Sequence, residues 1–176
     1  MKKNRVKSSA SPSRPEGHGL PSDWQSHSSP EKAREYAFLL LKFRLRSEKE
    51  LVQRLKQKGF PEELCQATVD FLKDKQFIDD HVFAKGWVAS RLKKPFGLRR
   101  IKLELVQKGL GKEVIEEAFV QSKEDYDENK IAKDLAEKRF SKLKGIEPIK
   151  AKQRVYAYLI RRGFSPDLVG EVVNKY

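Results

Sequence analysis

Positive charge is the most abundant chemistry in this sequence, and it is bunched. Arg44, Arg46 and Arg54, with Lys56 and Lys58, form one group. Arg91, Lys93, Lys94, Arg99, Arg100 and Lys102 form a second, and Lys150, Lys152 and Arg154, preceded by Lys142 and Lys144, a third. Guanidinium and ammonium groups at this density suit a phosphate backbone or an acidic protein face. A solvated helix face accounts for many such runs taken singly, but the middle group runs from Arg91 to Lys102 without an acid, and we assign it to a partner. The whole chain agrees: 38 Lys and Arg against 25 Asp and Glu give a net charge of +13. A chain that basic is expected to meet nucleic acid, an acidic protein or anionic lipid.

Other chemistry is sparse. His18 and His27 are isolated near the start and His81 follows a pair of aspartates, so no metal-ligand spacing forms. There is no glycine-rich phosphate loop, and Asp79 and Asp80 are better placed to cap a helix than to act as an acid/base pair. Cys65 is the single cysteine, lying in the apolar stretch from Leu64 to Val69, and reads as a small buried hydrophobe. No catalytic residue, metal or cofactor is expected. No long apolar run suggests a membrane span, and Met1 to Lys7 lead into Ser, Pro and Gly, so a soluble, cytoplasmic, monomeric protein is expected.

The elements that must carry the bases are marked by a signature used three times: Leu55 to Phe60, Leu105 to Leu110 and Leu159 to Phe164, each with a basic residue and a glycine before its last position. A glycine just past an amphipathic run takes the left-handed conformation that ends a helix, and the base ahead of it offsets the negative end of the dipole. In such an ending the leucine four before the glycine touches the residue after it. The pairs Leu55 with Phe60, Leu105 with Leu110 and Leu159 with Phe164 fit that contact. Gly59, Gly109 and Gly163 recur about every fifty residues and so mark an internal repeat. On this reading they are architecture, not a binding signature.

The expected fold is therefore all-α: three tandem three-helix units, helix-turn-helix-like, in an elongated rod or crescent. Residues 1–30 read as a disordered basic tail, 31–77 as the first unit, 78–123 as the second and 124–176 as the third. In the first unit Ala33, Tyr36, Ala37, Leu40 and Leu41 share a helical face, and Ser47 with Glu50 reads as a capping box. Pro61 is placed at the first position of the third helix. In the second unit Val82, Phe83, Trp87 and Val88 form an apolar stripe, Trp87 being read as core, and Lys93 to Gly97 break the chain before a helix from Leu98. In the third unit helices are expected near Asp127 to Phe140, Pro148 to Arg162 and Pro166 to Asn174. The third helices begin with acids, such as Glu62 and Glu63, Glu113, or Asp167, which argues against entry into a DNA groove. The bases lie instead on the loop between first and second helices and on the second helix itself. Lys58, Lys108 and Arg162 are weaker candidates because capping already explains them.

With these residues in view the chain resembles the RecX family of bacterial regulators of the RecA recombinase. The resemblance rests on Arg46 to Leu51 leading to Lys58-Gly59-Phe60; on Phe77-Ile78-Asp79-Asp80 with Phe83-Ala84 and Trp87-Val88; on Arg91 through Gly97 to Glu104-Leu105 and Lys108-Gly109; and on Arg162 to Ser165. It implies a non-enzymatic protein that binds the groove of the RecA–DNA filament, blocks strand exchange and ATP hydrolysis and limits filament growth. It also implies direct, nonspecific contact with single- and double-stranded DNA. The long basic tail departs from the family pattern. A nonspecific DNA-binding protein that competes with RecA for DNA is the alternative.

Overall fold

The computed structural model describes residues 29–120 and 126–176. The tail expected over 1–30, apart from its last two residues, lies outside them. Among the described residues there is no strand, and the helices run α1 Pro30–Phe43, α2 Glu48–Lys58, α3 Glu62–Asp74, α4 Asp80–Leu92, α5 Leu98–Gln107, α6 Lys112–Val120, α7 Glu128–Phe140, α8 Pro148–Arg162 and α9 Pro166–Asn174. A 3₁₀ turn, Ser141–Leu143, follows α7. Close helix packing is confined to α1–α3, α4–α6 and α7–α9, which makes three units in series.

Each unit has its own apolar centre. Ala33, Leu51, Leu55, Val69 and Leu72 fill the first, Phe83, Val88, Ile101, Leu105 and Phe119 the second, and Ala136, Val155, Leu159, Phe164 and Val172 the third. Leu51, Leu55, Ile101, Leu105, Val155 and Leu159 stand at matching places on α2, α5 and α8 and have no exposure. Enclosing one such side chain stabilises a unit by about 2 kcal/mol. Cys65 belongs to the first centre, where burial pushes its thiol pKa up.

The repeated helix ends form as their sequence requires. Gly59, Gly109 and Gly163 have φ of 102°, 91° and 91°. The N–H groups of Phe60, Leu110 and Phe164 donate to the carbonyls of Leu55, Leu105 and Leu159 at 3.2, 3.2 and 3.3 Å. The glycine N–H groups bond to Lys56, Val106 and Ile160. That is the Schellman ending, with its apolar pair buried each time.

Three local expectations are corrected. Ser47 does accept from the Glu50 N–H at 3.3 Å, but the Glu50 carboxylate is drawn away by two cations, so the reciprocal half of the capping box is not made. Pro61 is the N-cap of α3 rather than its first helical residue, because its ψ of 150° is extended. Val82 is 53% exposed, so the stripe on α4 is narrower than expected, consisting of buried Phe83 and Val88 with half-buried Trp87 packed on them.

Candidate functional site

The bases sit on α2, α5, α8 and the loops before them, so the way these three helices are held decides what the charge can do. Neighbouring units meet end to end. The Ser47 hydroxyl, at the start of α2, donates to the carbonyl of Lys108, at the end of α5, at 2.7 Å. The Gly97 N–H, at the start of α5, donates to the carbonyl of Arg162, at the end of α8, at 2.9 Å. The positive start of each helix thereby faces the negative end of the next.

A second contact repeats. Asp80, the first residue of α4, accepts from the Glu48 N–H that opens α2, at 3.0 Å. Glu128, the first residue of α7, accepts from the Leu98 N–H that opens α5, at 2.8 Å. In each case the following unit supplies a cap to the second helix of the unit before it, adding to Ser47 on α2 and standing in for the side chain that Gly97 lacks on α5. So the aspartate pair divides its work: Asp79 caps α4, accepting from His81 and Val82, while Asp80 caps its neighbour. Burial pushes the Asp80 carboxyl up from its ordinary range, against the pull of that N–H.

The base before each glycine makes a third contact. Lys108 reaches Glu50 at 2.6 Å and lies over Trp87, its ammonium 4.1 Å from the ring centre. Arg162 donates to the Pro95 carbonyl at 3.4 Å and lies over Phe96. Lys58 turns over Tyr36 of its own unit. Capping therefore explains only part of what Lys108 and Arg162 do. They are clamps between units, a role that the repeat alone did not reveal. A signal was present: the small residues Ser47 and Gly97 stand at the same distance ahead of Gly59 and Gly109, where close approach needs them.

The expected binding residues divide into engaged and available. Arg44 is bidentate to Glu50 at 2.9 and 3.0 Å, Arg46 donates to the Leu40 carbonyl at 3.3 Å, and exposed Arg54 touches Gln57. In the middle group Arg91 and Arg100 both hold Glu104, at 2.7 and 3.0 Å, and stack on Trp87 and Phe96 respectively. Burial raises the Glu104 carboxyl, but these guanidiniums and the Trp87 N–H outweigh it and leave it below the usual range. The middle run thus has an acid among its bases after all, just beyond the stretch without one. Lys93, Lys94, Arg99 and Lys102 are exposed and paired with no carboxylate among the described residues; Lys102 only passes over the Phe119 ring at 5.5 Å. Lys150 pairs with Glu147 of its own turn, Lys152 is half-buried and Arg154 is exposed. The bases share elements from unit to unit but not register: Arg54 occupies the place that Glu104 holds in the second unit.

Three successive stretches match one family of domain descriptions: residues 33–72 match the first three-helix domain of RecX, 79–118 the second and 125–173 the third. Regulatory protein RecX of Chlorobium phaeobacteroides (strain BS1) is 36% identical over 145 residues, covering 82% of this chain and 93% of that one. The chain belongs to the RecX family. Regulatory protein RecX of Clostridium botulinum (strain Alaska E43 / Type E3) is 34% identical over 147 residues, 82% of this chain and 68% of that protein. A crystal structure of regulatory protein RecX superimposes with a TM-score of 0.71 at 28% identity, over 82% of this chain and 71% of that one. RecX from Lactobacillus salivarius shares the fold, with a TM-score of 0.67 over 83% of this chain. The RecX domain limits enclose the three apolar centres almost entirely, and the joints described above tie each of the first two domains to the one that follows it. Among the described residues no helix is long and apolar enough to cross a membrane.

Proposed function

We propose that this chain regulates the RecA recombinase by lying along the RecA–DNA filament and inhibiting strand exchange, ATP hydrolysis and filament growth. Family membership supplies the partner. The observation that carries the reading is the set of unpaired cations, Lys93, Lys94, Arg99 and Lys102, on the unit that is clamped to both its neighbours. A middle unit held at both ends presents its charge on a fixed frame, which limits the ordering cost of binding. Arg44, Arg46, Arg54, Lys150, Lys152 and Arg154 extend the positive surface to either side; of these Arg44, Arg54, Lys150 and Arg154 are exposed. Inhibition by such a protein is differential binding: it must favour the filament state that hydrolyses ATP slowly or loses subunits.

The test is ATP hydrolysis by RecA on single-stranded DNA with this protein added at far less than one per nucleotide. Hydrolysis and strand exchange should slow; unchanged rates at saturation would end the proposal. Competition for DNA is the second reading, favoured by the net charge of +13. It predicts tight binding to naked DNA that weakens steeply with salt, as counterion release requires. The double reversal Lys93→Glu and Lys94→Glu separates the two, since neither side chain holds the fold. Inhibition that survives the loss of naked-DNA binding rules out competition.

A further inference from the structure

Between α5 and α8 runs a groove of about 730 Å³. Leu103, Val106 and Ile160 line it together with the bases Arg99, Lys102 and Arg161. Leu103 and Val106 are 57% and 55% exposed and lie side by side on a helix whose inner face already buries Ile101 and Leu105. The repeat supplies its own control. At the places held by Leu103 and Val106 the first unit has Gln53 and Lys56, both exposed, and α2 packs with the same buried leucines. The fold therefore does not require apolar groups there.

Phosphate contact does not require them either. Backbone oxygens are met by cations, N–H groups and hydroxyls, and an isobutyl or isopropyl group offers them nothing. On α5, Arg99, Leu103 and Val106 fall on one face, with Lys102 beside them, so cations stand at one end of an apolar strip. Arg161 adds a third cation from α8. Arg99 and Arg161 form no ion pair among the described residues, and the acid that also lines the groove, Glu104, is taken up by Arg91 and Arg100. An apolar strip rimmed by uncompensated cations matches an amphipathic protein segment whose apolar side chains are flanked by carboxylates.

We infer that the α5–α8 groove docks an acidic, amphipathic segment of a partner protein. Resting on the filament reading above, the segment belongs to RecA, so the second unit divides its contacts: Lys93 and Lys94 at the α4–α5 corner toward DNA, the groove toward protein. The sequence run Arg99 to Val106 then serves recognition by shape and charge together, not charge alone.

The test uses the full chain carrying Leu103→Gln and Val106→Gln, titrated against naked single-stranded DNA and against RecA filaments on the same DNA. The expected result is affinity for naked DNA within about twofold of wild type and affinity for filaments lower by about tenfold or more. Unchanged filament affinity overturns the groove and leaves the filament reading intact. A parallel fall on both targets makes the groove a nucleic-acid site and also overturns the inference. Absence of filament binding by the wild type overturns the filament reading and the partner assigned to the groove together. If the double variant no longer unfolds cooperatively, Leu103→Gln alone, which installs the residue type of Gln53, is measured in its place with the same outcomes.

Discussion

Where the first unit meets the second, a hydroxyl, a carboxylate and an ammonium come together in Ser47, Glu50 and Lys108, with Arg44 completing the cluster. Where the second meets the third, backbone lies on backbone: a Cβ added at Gly97 would overlap Gly163 and the Phe164 nitrogen, and one added at Gly163 would overlap Arg100. Tyr126 donates to the Phe96 carbonyl across this second joint, and burial pushes its phenol up to about 12, so it stays a donor. The two joints share a plan and differ in what fills it. The first adds ion pairs to its close contact of Gly109 with Lys49 and so responds to solvent conditions; the second sets main chain on main chain and responds most to volume.

The largest effect should come from Gly97→Ala. The overlap is with main chain, which has no rotamer to yield, so we expect a loss of about 3 kcal/mol or release of the third unit. Chemical denaturation followed by hydrogen exchange at Phe164 would register it, and near-normal stability would show that the second joint is looser than the geometry indicates. Next is Glu50→Ala. It strands Lys108, whose side chain is only 16% exposed, and should cost about 2 kcal/mol. The loss should appear as earlier opening of the first unit, with the third unaffected.

Acid should act on the same joint. Burial raises the Glu50 carboxyl, but hydrogen bonds from Arg44 and Lys108 outweigh it and hold its pKa at about 2 against an ordinary 4.5. Its contribution is therefore complete above pH 4.5 and is lost as pH falls through about 2. Asp80 runs the other way: its raised pKa lets the folded chain take up a proton more readily than the unfolded one, which adds a little stability as pH falls toward its ordinary value of 3.8. Protection of the first joint should accordingly hold in mild acid and fall below it, and high salt should weaken it selectively. The smallest effect is expected at Gly59→Ala. Gly59 carries the same left-handed φ as its counterparts, 102°, yet a Cβ there has nothing within 4 Å. The cost should be about 1 kcal/mol, from backbone alone. Thermal melts of Gly59→Ala and Gly163→Ala side by side would separate backbone strain from contact between units.

What could be read in advance follows from which interactions are local. The endings at Gly59, Gly109 and Gly163, the start of α9 at Ser165-Pro166 and the start of α8 at Pro148 depend on residues within one turn, and sequence spacing captured them. Glu50 was assigned to the nearest N–H because that partner is local; its actual partners include Lys108, fifty-eight residues away. Asp80 and Glu128 likewise cap helices of another unit. In the middle group, sequence order separated Glu104 from Arg91, whereas α4 and α5 pack so that the two meet. Charge counted along the chain therefore overstated what is available to a partner, and of that group only Lys93, Lys94, Arg99 and Lys102 remain uncommitted to a carboxylate among the described residues.

The joints also give the molecule a sense of direction. Each sets the start of one helix against the end of a different one, so the contact is heterologous and never its own mirror. Running from α8 through α5 to α2, the described helices lead one way only, from Pro148 to Gly59, as an arrow does. A partner built of identical subunits all facing one way can be met by such an object in parallel or antiparallel, and the two arrangements place different residues at every contact.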